Sequence, residues 1–289
     1  MTYPTDRPAV WFVTGTSRGL GLALVTHLLG RGDHVAATTR SSSRLLSALA
    51  ETDTENLLPL DVSLTDETDV LRAVTAANER FGRIDVVVNN AGYGYLGAIE
   101  ETTAADVKAM FDVQINGTWN VLRAVVPQMR EARSGHIINI SSILGVLSFP
   151  GWGLYCAAKY ALEGLSESLA AETADHGIEV SVVEPGYFNT DFLTDDSLAL
   201  ASHISDAYPA IREMIAEHRA MSGSQPGDPI KAAEAIVTIA QTESGSLRYQ
   251  LGSDSSDMAE GKANTLKDEI LLGREFAQRT DYVEAPFVS

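Results

Sequence analysis

Tyr155, Cys156, Ala157, Ala158 and Lys159 set a phenol and an ammonium four residues apart, which on a helix places them on one face, one turn from each other. A free phenol titrates near pH 10, so work as an acid or base near pH 7 needs a shift of about three units, or roughly 4 kcal/mol. One positive charge about 4 Å away, at an effective dielectric of about 20, supplies an energy of that size. A Tyr-x3-Lys pair alone is a common helix-surface pair; Ser142 changes its meaning. That serine stands thirteen residues earlier, at the end of the apolar run Ile137-Ile138-Asn139-Ile140-Ser141-Ser142. If the run is a strand and the pair is on the helix that follows, the hydroxyl polarises a carbonyl oxygen while the tyrosine gives up its proton. Ser141 falls on the opposite side of the strand and takes a structural role.

Such a constellation needs strand ends and helices that meet at one crevice, and the chain is patterned to make one. Short runs rich in β-branched residues alternate with stretches of helical period, the signature of a parallel sheet covered on both faces. The expected strands are Ala9 to Thr14, His34 to Thr39, Asn56 to Asp61, Asp85 to Asn90, His136 to Ser141, Glu179 to Glu184 and Tyr249 to Gly252. Expected helices include Leu20 to Gly30, Asp66 to Arg80, Ala104 to Arg130 and Trp152 to Asp175, with Thr65 as a cap candidate for the second. Right-handed crossovers then give an α/β fold, a doubly wound parallel sheet of about seven strands in a single Rossmann-type domain over residues 1–289. From about Tyr187 to Pro229 the alternation stops. An insertion after a strand's carboxyl end sits over the crevice, so 187–229 is the expected substrate lid.

Between the first strand and first helix lies Thr14-Gly15-Thr16-Ser17-Arg18-Gly19-Leu20-Gly21. Gly15 takes the tight turn, Gly19 lets the backbone approach a pyrophosphate, and Gly21 lets helix and strand pack closely. The cofactor expected there is a nicotinamide dinucleotide. NAD-selective sites carry an acid at the end of the second strand for the ribose 2′-hydroxyl. Here that end reads Thr38-Thr39-Arg40-Ser41, and Asp33 precedes the strand, at the wrong end of the sheet. Arg40 can fork onto a 2′-phosphate and Arg18 can reach it from the turn, so NADP(H) is expected over NAD(H).

These motifs, taken in order, resemble the short-chain dehydrogenase/reductase family over roughly Val10 to Thr190. The resemblance is carried by the Gly-x3-Gly-x-Gly turn, Asp61-Val62, Asn89-Asn90-Ala91-Gly92, Ser142, Tyr155 to Lys159, and Pro185-Gly186 followed by Thr190. It implies an oxidoreductase moving a hydride, on the 4-pro-S side, between the nicotinamide and a carbonyl or alcohol carbon. By the same resemblance Asp61 and Val62 flank the adenine, Asn90, Ala91 and Gly92 line the cofactor, Thr190 binds the carboxamide, and Lys159 also holds the nicotinamide ribose. The runs Tyr155 to Gly164 and Val183-Glu184-Pro185-Gly186 resemble the branch of 17β-hydroxysteroid and retinol dehydrogenases. The long helices Ala104 to Arg130 and Trp152 to Asp175 form the family's usual dimer face, which implies a homodimer or homotetramer.

One position departs from the family. Its catalytic asparagine stands three residues before a glycine, and here Gln114-Ile115-Asn116-Gly117 puts a glutamine there. Gln114 keeps the amide but adds a methylene, so any water it holds for proton relay must shift. Either the relay tolerates glutamine, or Asn116 serves after a local helix distortion, or turnover is reduced. On this reading Gln114→Asn preserves or raises the rate.

Around the expected site stand Tyr93, Tyr95, Leu144, Val146, Phe149, Trp152, Tyr187, Phe188, Phe192 and Leu193, which suit a bulky apolar ketone or alcohol, steroid-like or retinoid-like. A lid helix bearing Tyr208, Ile211, Met214, Ile215 and Met221 either touches substrate or packs on the sheet. Composition bounds the rest: 289 residues with 45% hydrophobic and 21% charged content can bury a large core. A formal charge of −18 disfavours nucleic acid as a partner. One cysteine, Cys156, fits a reducing compartment and excludes a thiolate metal cluster; no metal is expected. Neither a leader nor a membrane span is expected, which places the chain in the cytoplasm. Two other readings exist: a non-catalytic NADP(H) sensor, which should have lost the tyrosine, lysine or serine, and a sugar-nucleotide epimerase or dehydratase, which usually needs a larger C-terminal substrate domain.

Overall fold

The computed structural model describes residues 3–243 and 245–282, so the expected domain limits at 1 and 289 lie outside the described residues. Seven strands form one parallel sheet in the order β3-β2-β1-β4-β6-β7-β9. They are β1 Val10–Thr14, β2 His34–Thr39, β3 Leu57–Asp61, β4 Val86–Asn89, β6 Gly135–Ile140, β7 Ile178–Pro185 and β9 Arg248–Leu251. The chain winds outward from β1 to β3, then restarts at β4 and winds the other way. The carboxyl ends of β1 and β4 therefore flank the point where the order reverses, and a crevice opens there.

Alternation along β1 explains the two-sided core. Trp11 and Val13 face α1 (Gly19–Gly30) and α8 (Pro229–Gln241), while Phe12 faces α3 (Glu67–Phe81), α5 (Gly117–Ala132) and α6 (Gly153–Thr173). With both faces covered, the inner strands read as continuous apolar runs. Each such side chain, wholly buried, contributes about 2 kcal/mol of transfer free energy. A third apolar cluster lies over the carboxyl end of the sheet, joining Tyr95, Leu96, Met110, Leu144, Trp152, Tyr155 and Leu198 to Ile211 and Ile215 of α7 (Pro209–Ala220). It is pinned by a small second sheet, β5 (Gly94–Leu96) paired in parallel with β8 (Leu198–Leu200).

The structure departs from the expected elements at four places. The long helix expected over Ala104 to Arg130 is α4 (Ala104–Phe111), a π-helical turn over Asp112–Asn116, then α5. Thr118 bonds its hydroxyl back to the Gln114 carbonyl at 2.8 Å, and a Cβ on Gly117 would stand 3.0 Å from Leu64, so the chain widens where it is pressed closest. Asp66, not Thr65, caps α3, accepting from the N–H groups of Thr68 and Asp69. A short α2 (Ser42–Ala48), with Ser41 as its cap, follows β2 at once. Finally, α9 (Ser253–Gln278) extends beyond the last expected strand with Leu266, Ile270, Leu272 and Phe276 exposed. Among the described residues no helix is long and apolar enough to cross a membrane.

Candidate active site

The turn after β1 is built from main chain pressed on main chain. Gly15 and Gly19 hold φ of +70° and +56°, which a side chain disfavours. A Cβ on Gly15 would stand 2.7 Å from the Ala91 Cα; one on Gly21 would meet the Gly15 carbonyl oxygen at 2.3 Å and Asn90 Nδ2 at 2.5 Å. Thr14 Oγ1 accepts the N–H groups of Asn90 and Ala91, each at 3.0 Å, and Asn90 Nδ2 donates to the Thr14 and Gly15 carbonyls at 2.9 and 3.0 Å. Arg18, the residue before α1, makes no capping bond with its side chain. The first N–H groups of α1 are thus left to an anion, and the glycine cradle has the room a pyrophosphate needs.

From this turn a cavity of about 590 Å³ runs toward the segment after β7. Gly15, Ser17, Arg18, Gly19, Leu20, Gly21, Arg40, Val62, Asn90, Ala91 and Gly92 line it, as do Ser142, Tyr155, Lys159, Pro185, Gly186 and Thr190, the last beside Gly19. Three expected site residues stand behind the wall. Thr16 is buried with its hydroxyl on the Thr38 carbonyl at 3.1 Å. Asp61 spends its carboxylate on Ser42, accepting from the backbone N–H at 2.6 Å and the hydroxyl at 3.1 Å. Gln114 is buried in the π turn; its amide donates to the Tyr93 carbonyl at 3.0 Å and contacts Met110 Sδ, while its Oε1 lies beside Gly92 without a partner. Asn116 does not take its place, for it is exposed and bonded to Asp112. Gln114 therefore braces the Gly92-Tyr93 segment rather than facing the cavity.

Tyr155 and Lys159 share one face of α6, and Ser142, two residues past β6, lies close enough to favour the ionised phenol. Asn139 Nδ2 donates to Ser166 Oγ, and Asn89 Nδ2 to Asn139 Oδ1, both at 2.8 Å, so β4, β6 and α6 are joined by buried polar contacts. Lys159 Nζ lies 5.5 Å from the Tyr155 ring centre and donates to the Ile140 carbonyl at 2.9 Å. Burial lowers the lysine to about 8 despite the opposing field of Glu163. The same burial raises the phenol above its ordinary value, against the pull of the Ser142 hydrogen bond. Burial thus outweighs the lysine at the phenol; the cation is itself desolvated and sits over the ring face. Ser141 also lines the cavity, while its hydroxyl and Glu163 both border Gly145.

At the lid end aromatic rings meet edge to face: Trp152 and Tyr155 at 5.6 Å, Tyr155 and Phe192 at 5.7 Å. Tyr93, Leu144, Phe149, Tyr187, Phe188 and Leu193 also line the cavity. Tyr95 and Val146 do not: the Tyr95 hydroxyl is bonded to Asp106, and the Val146 carbonyl accepts from Tyr160. None of Tyr208, Ile211, Met214, Ile215 and Met221 reaches the wall; they pack in or against the third core cluster, which resolves the lid helix as packing. Asp195, Asp196, Ser197, Leu198, Ala199, Gln225 and Met258 are among the further lining residues and were not expected. The interrupted alternation located their segment in part, but no local motif singles them out.

At the arginine corner, Arg40 lines the cavity and Asp33 is remote, its carboxylate accepting the Ala9 N–H at 3.0 Å. Arg44, on the first turn of α2, was not expected; its Nη2 donates to Asp196 Oδ2 at 2.8 Å.

A glycine turn at the topological switch point facing a Ser-Tyr-Lys group across one cavity is matched by a known family. The model of the short chain dehydrogenases fits residues 9–200. The chain belongs to that family and is an oxidoreductase. A crystal structure of a short-chain dehydrogenase from Streptomyces avermitilis superimposes with a TM-score of 0.86 at 37% identity, covering 96% of this chain and all (100%) of that one. A short-chain dehydrogenase from Burkholderia cenocepacia in complex with NADP gives a TM-score of 0.71 at 25% identity, covering 92% of this chain and 97% of that one. The 3-ketodihydrosphingosine reductase of Bacteroides thetaiotaomicron is 34% identical over 85% of this chain and 88% of its own length. These likenesses single out the family and not its steroid and retinol branch.

Proposed function

We propose that this dehydrogenase interconverts a bulky apolar ketone and its secondary alcohol with NADP(H), using Tyr155 as the proton donor and acceptor. The observation that carries the reading is the convergence of Ser142, Tyr155 and Lys159 on the wall of a cavity whose opposite end is the glycine turn. Bound cofactor supplies or accepts the hydride. Ser142 donates to the substrate oxygen, and Tyr155 passes its hydroxyl proton to that oxygen on reduction or takes it on oxidation. Lys159, held by the Ile140 carbonyl, keeps its charge next to the phenol and reaches the ribose. Gly15, Ser17, Gly19, Leu20 and Gly21 hold the pyrophosphate, Val62 and the Asn90-Ala91-Gly92 segment flank the base and ribose, and Thr190 and Gly186 hold the carboxamide end. Arg18 and Arg40 favour a 2′-phosphate, and the NADP complex of the Burkholderia relative supports that choice.

The rings of Trp152, Phe192 and Phe188 support a large apolar substrate, as does likeness to a reductase of a long-chain keto base. We place the chain in the cytoplasm, with its lone cysteine buried, and infer a homodimer or homotetramer in which the exposed Val107 and Trp119 of α4 and α5 are covered. Oxidation of NADPH in the presence of a ketone panel tests the function: aromatic and steroidal ketones should turn over, and reduction of small sugars alone would refute the substrate reading. A larger rise in melting temperature with NADP+ than with NAD+ is the expected sign of cofactor choice; equal rises would overturn it. No ketone-dependent NADPH oxidation by a wild-type chain that still binds NADP+ would leave a cofactor sensor as the better description.

A further inference from the structure

The turn between Thr194 and Leu198 crosses from the lid to the cofactor end and is tied at both sides. Asp195 pairs with Arg219 of α7, within the lid. Asp196 reaches the other way. Its carboxylate accepts from Arg44 Nη2 at 2.8 Å and stands 3.3 Å from Arg18 Nη1, while its backbone carbonyl accepts Arg18 Nη2 at 2.6 Å. The guanidinium groups of Arg44 and Arg40 both bear on Arg18 electrostatically, each opposing its charge, and Asp196 and Asp191 favour it. Three cations thus gather at the mouth where Arg18, Arg40 and Asp196 line the cavity. One carboxylate bridges two of them.

The geometry points to Asp196 as an internal competitor of the cofactor's 2′-phosphate, holding Arg18 and Arg44 until the phosphate takes them and the lid turn is released. This rests on the NADP(H) reading above. A phosphate monoester carries close to two negative charges at neutral pH, which a single carboxylate does not match. Guanidinium forks bind phosphate by two parallel donors, and Asp196 occupies donors of Arg18 and Arg44. Two anions on the same forks repel each other, so arrival of the phosphate and retention of Asp196 oppose one another. A dinucleotide lacking the phosphate leaves the bridge intact. Cofactor preference would then depend on Arg44 and Asp196 as well as on Arg18 and Arg40, and the identity of the bound dinucleotide would be reported to the lid.

Calorimetric titration of the full chain at low salt with 2′,5′-ADP, and with 5′-AMP as the phosphate-free control, separates the parts without turnover. Wild-type protein should bind 2′,5′-ADP more tightly than 5′-AMP. Asp196→Asn, which keeps shape and removes charge, should tighten 2′,5′-ADP about fivefold, the size of an exposed ion pair, and leave 5′-AMP unchanged. Arg44→Gln should weaken 2′,5′-ADP about tenfold through the loss of a charge-assisted bond, again sparing 5′-AMP. Unchanged or weaker 2′,5′-ADP binding in Asp196→Asn overturns the competition and makes the residue a strap that stays in place. No effect of Arg44→Gln removes Arg44 from the phosphate corner and overturns the exchange as stated. If wild type does not distinguish the two nucleotides, the NADP(H) reading falls and the competition falls with it.

Discussion

The two ends of the cavity are made of different material. Around Gly15 and Gly21 the wall is largely backbone: added atoms there would strike the main chain of Ala91 and of Gly15, although Gly19 and Gly92 border the side chains of Thr190 and Gln114. Behind the wall at Phe192 and Leu198, a Cβ on Gly94 would meet Leu198 Cδ1 at 2.8 Å and the ring of Phe192 at 3.1 Å, side chains that can turn aside. One end is rigid because its neighbours have no torsions left to yield; the other is adaptable because its neighbours do. A dinucleotide of fixed shape and a substrate of variable shape call for this division.

The contrast can be tested in order of expected effect. Tyr155→Phe removes the proton and should lower kcat about 10³-fold while NADPH affinity, read by fluorescence, stays within about twofold. A loss below tenfold would mean another group moves the proton. Gly21→Ala should weaken NADPH about 100-fold through a clash worth about 3 kcal/mol, whereas Gly94→Ala should change kcat and both affinities by no more than about threefold. Comparable losses in the two variants would erase the distinction between rigid and adaptable ends. Phe192→Ala should raise KM for a bulky ketone about tenfold, the size of a lost ring contact, with NADPH affinity unchanged. An effect on NADPH instead would place the ring at the wrong end. Gln114→Asn has the smallest expected effect: the shorter amide loses the Tyr93 carbonyl, and steady-state kcat/KM should fall about fivefold, the value of one buried hydrogen bond. That reverses the sign expected from sequence alone, where Gln114 had no known partner; a rise would restore the earlier view.

What could be read in the sequence follows the same division. The seven strands, the turn at Gly15 to Gly21 and the Ser142-Tyr155-Lys159 group were legible because each is a local pattern, and strand ends at a switch point bring local patterns together. Arg44 was not legible, since nothing in α2 announces that its first turn faces the lid. Nor was Asp196, whose partners lie 178 and 152 positions away in the chain. Gln114 was found by its spacing from Gly117, but the π turn that directs it to Tyr93 depends on tight packing against Leu64, which no periodicity records. Met258 and the Asp254 carboxylate that accepts the Tyr187 N–H come from α9, beyond the last expected strand.

The small sheet of β5 and β8 has a mechanical consequence. Gly94, in register with Leu198, stands two residues past Gly92 of the cofactor wall, so the inner edge of the lid is stitched to the strand that leaves that wall. A substrate large enough to displace the Leu198 backbone, beyond what its side chain can yield, would bear on Gly92 through the two peptide units from Gly94. Strain imposed in one chamber is delivered to the other, and across a series of ketones of increasing girth the grip on the dinucleotide should loosen in step.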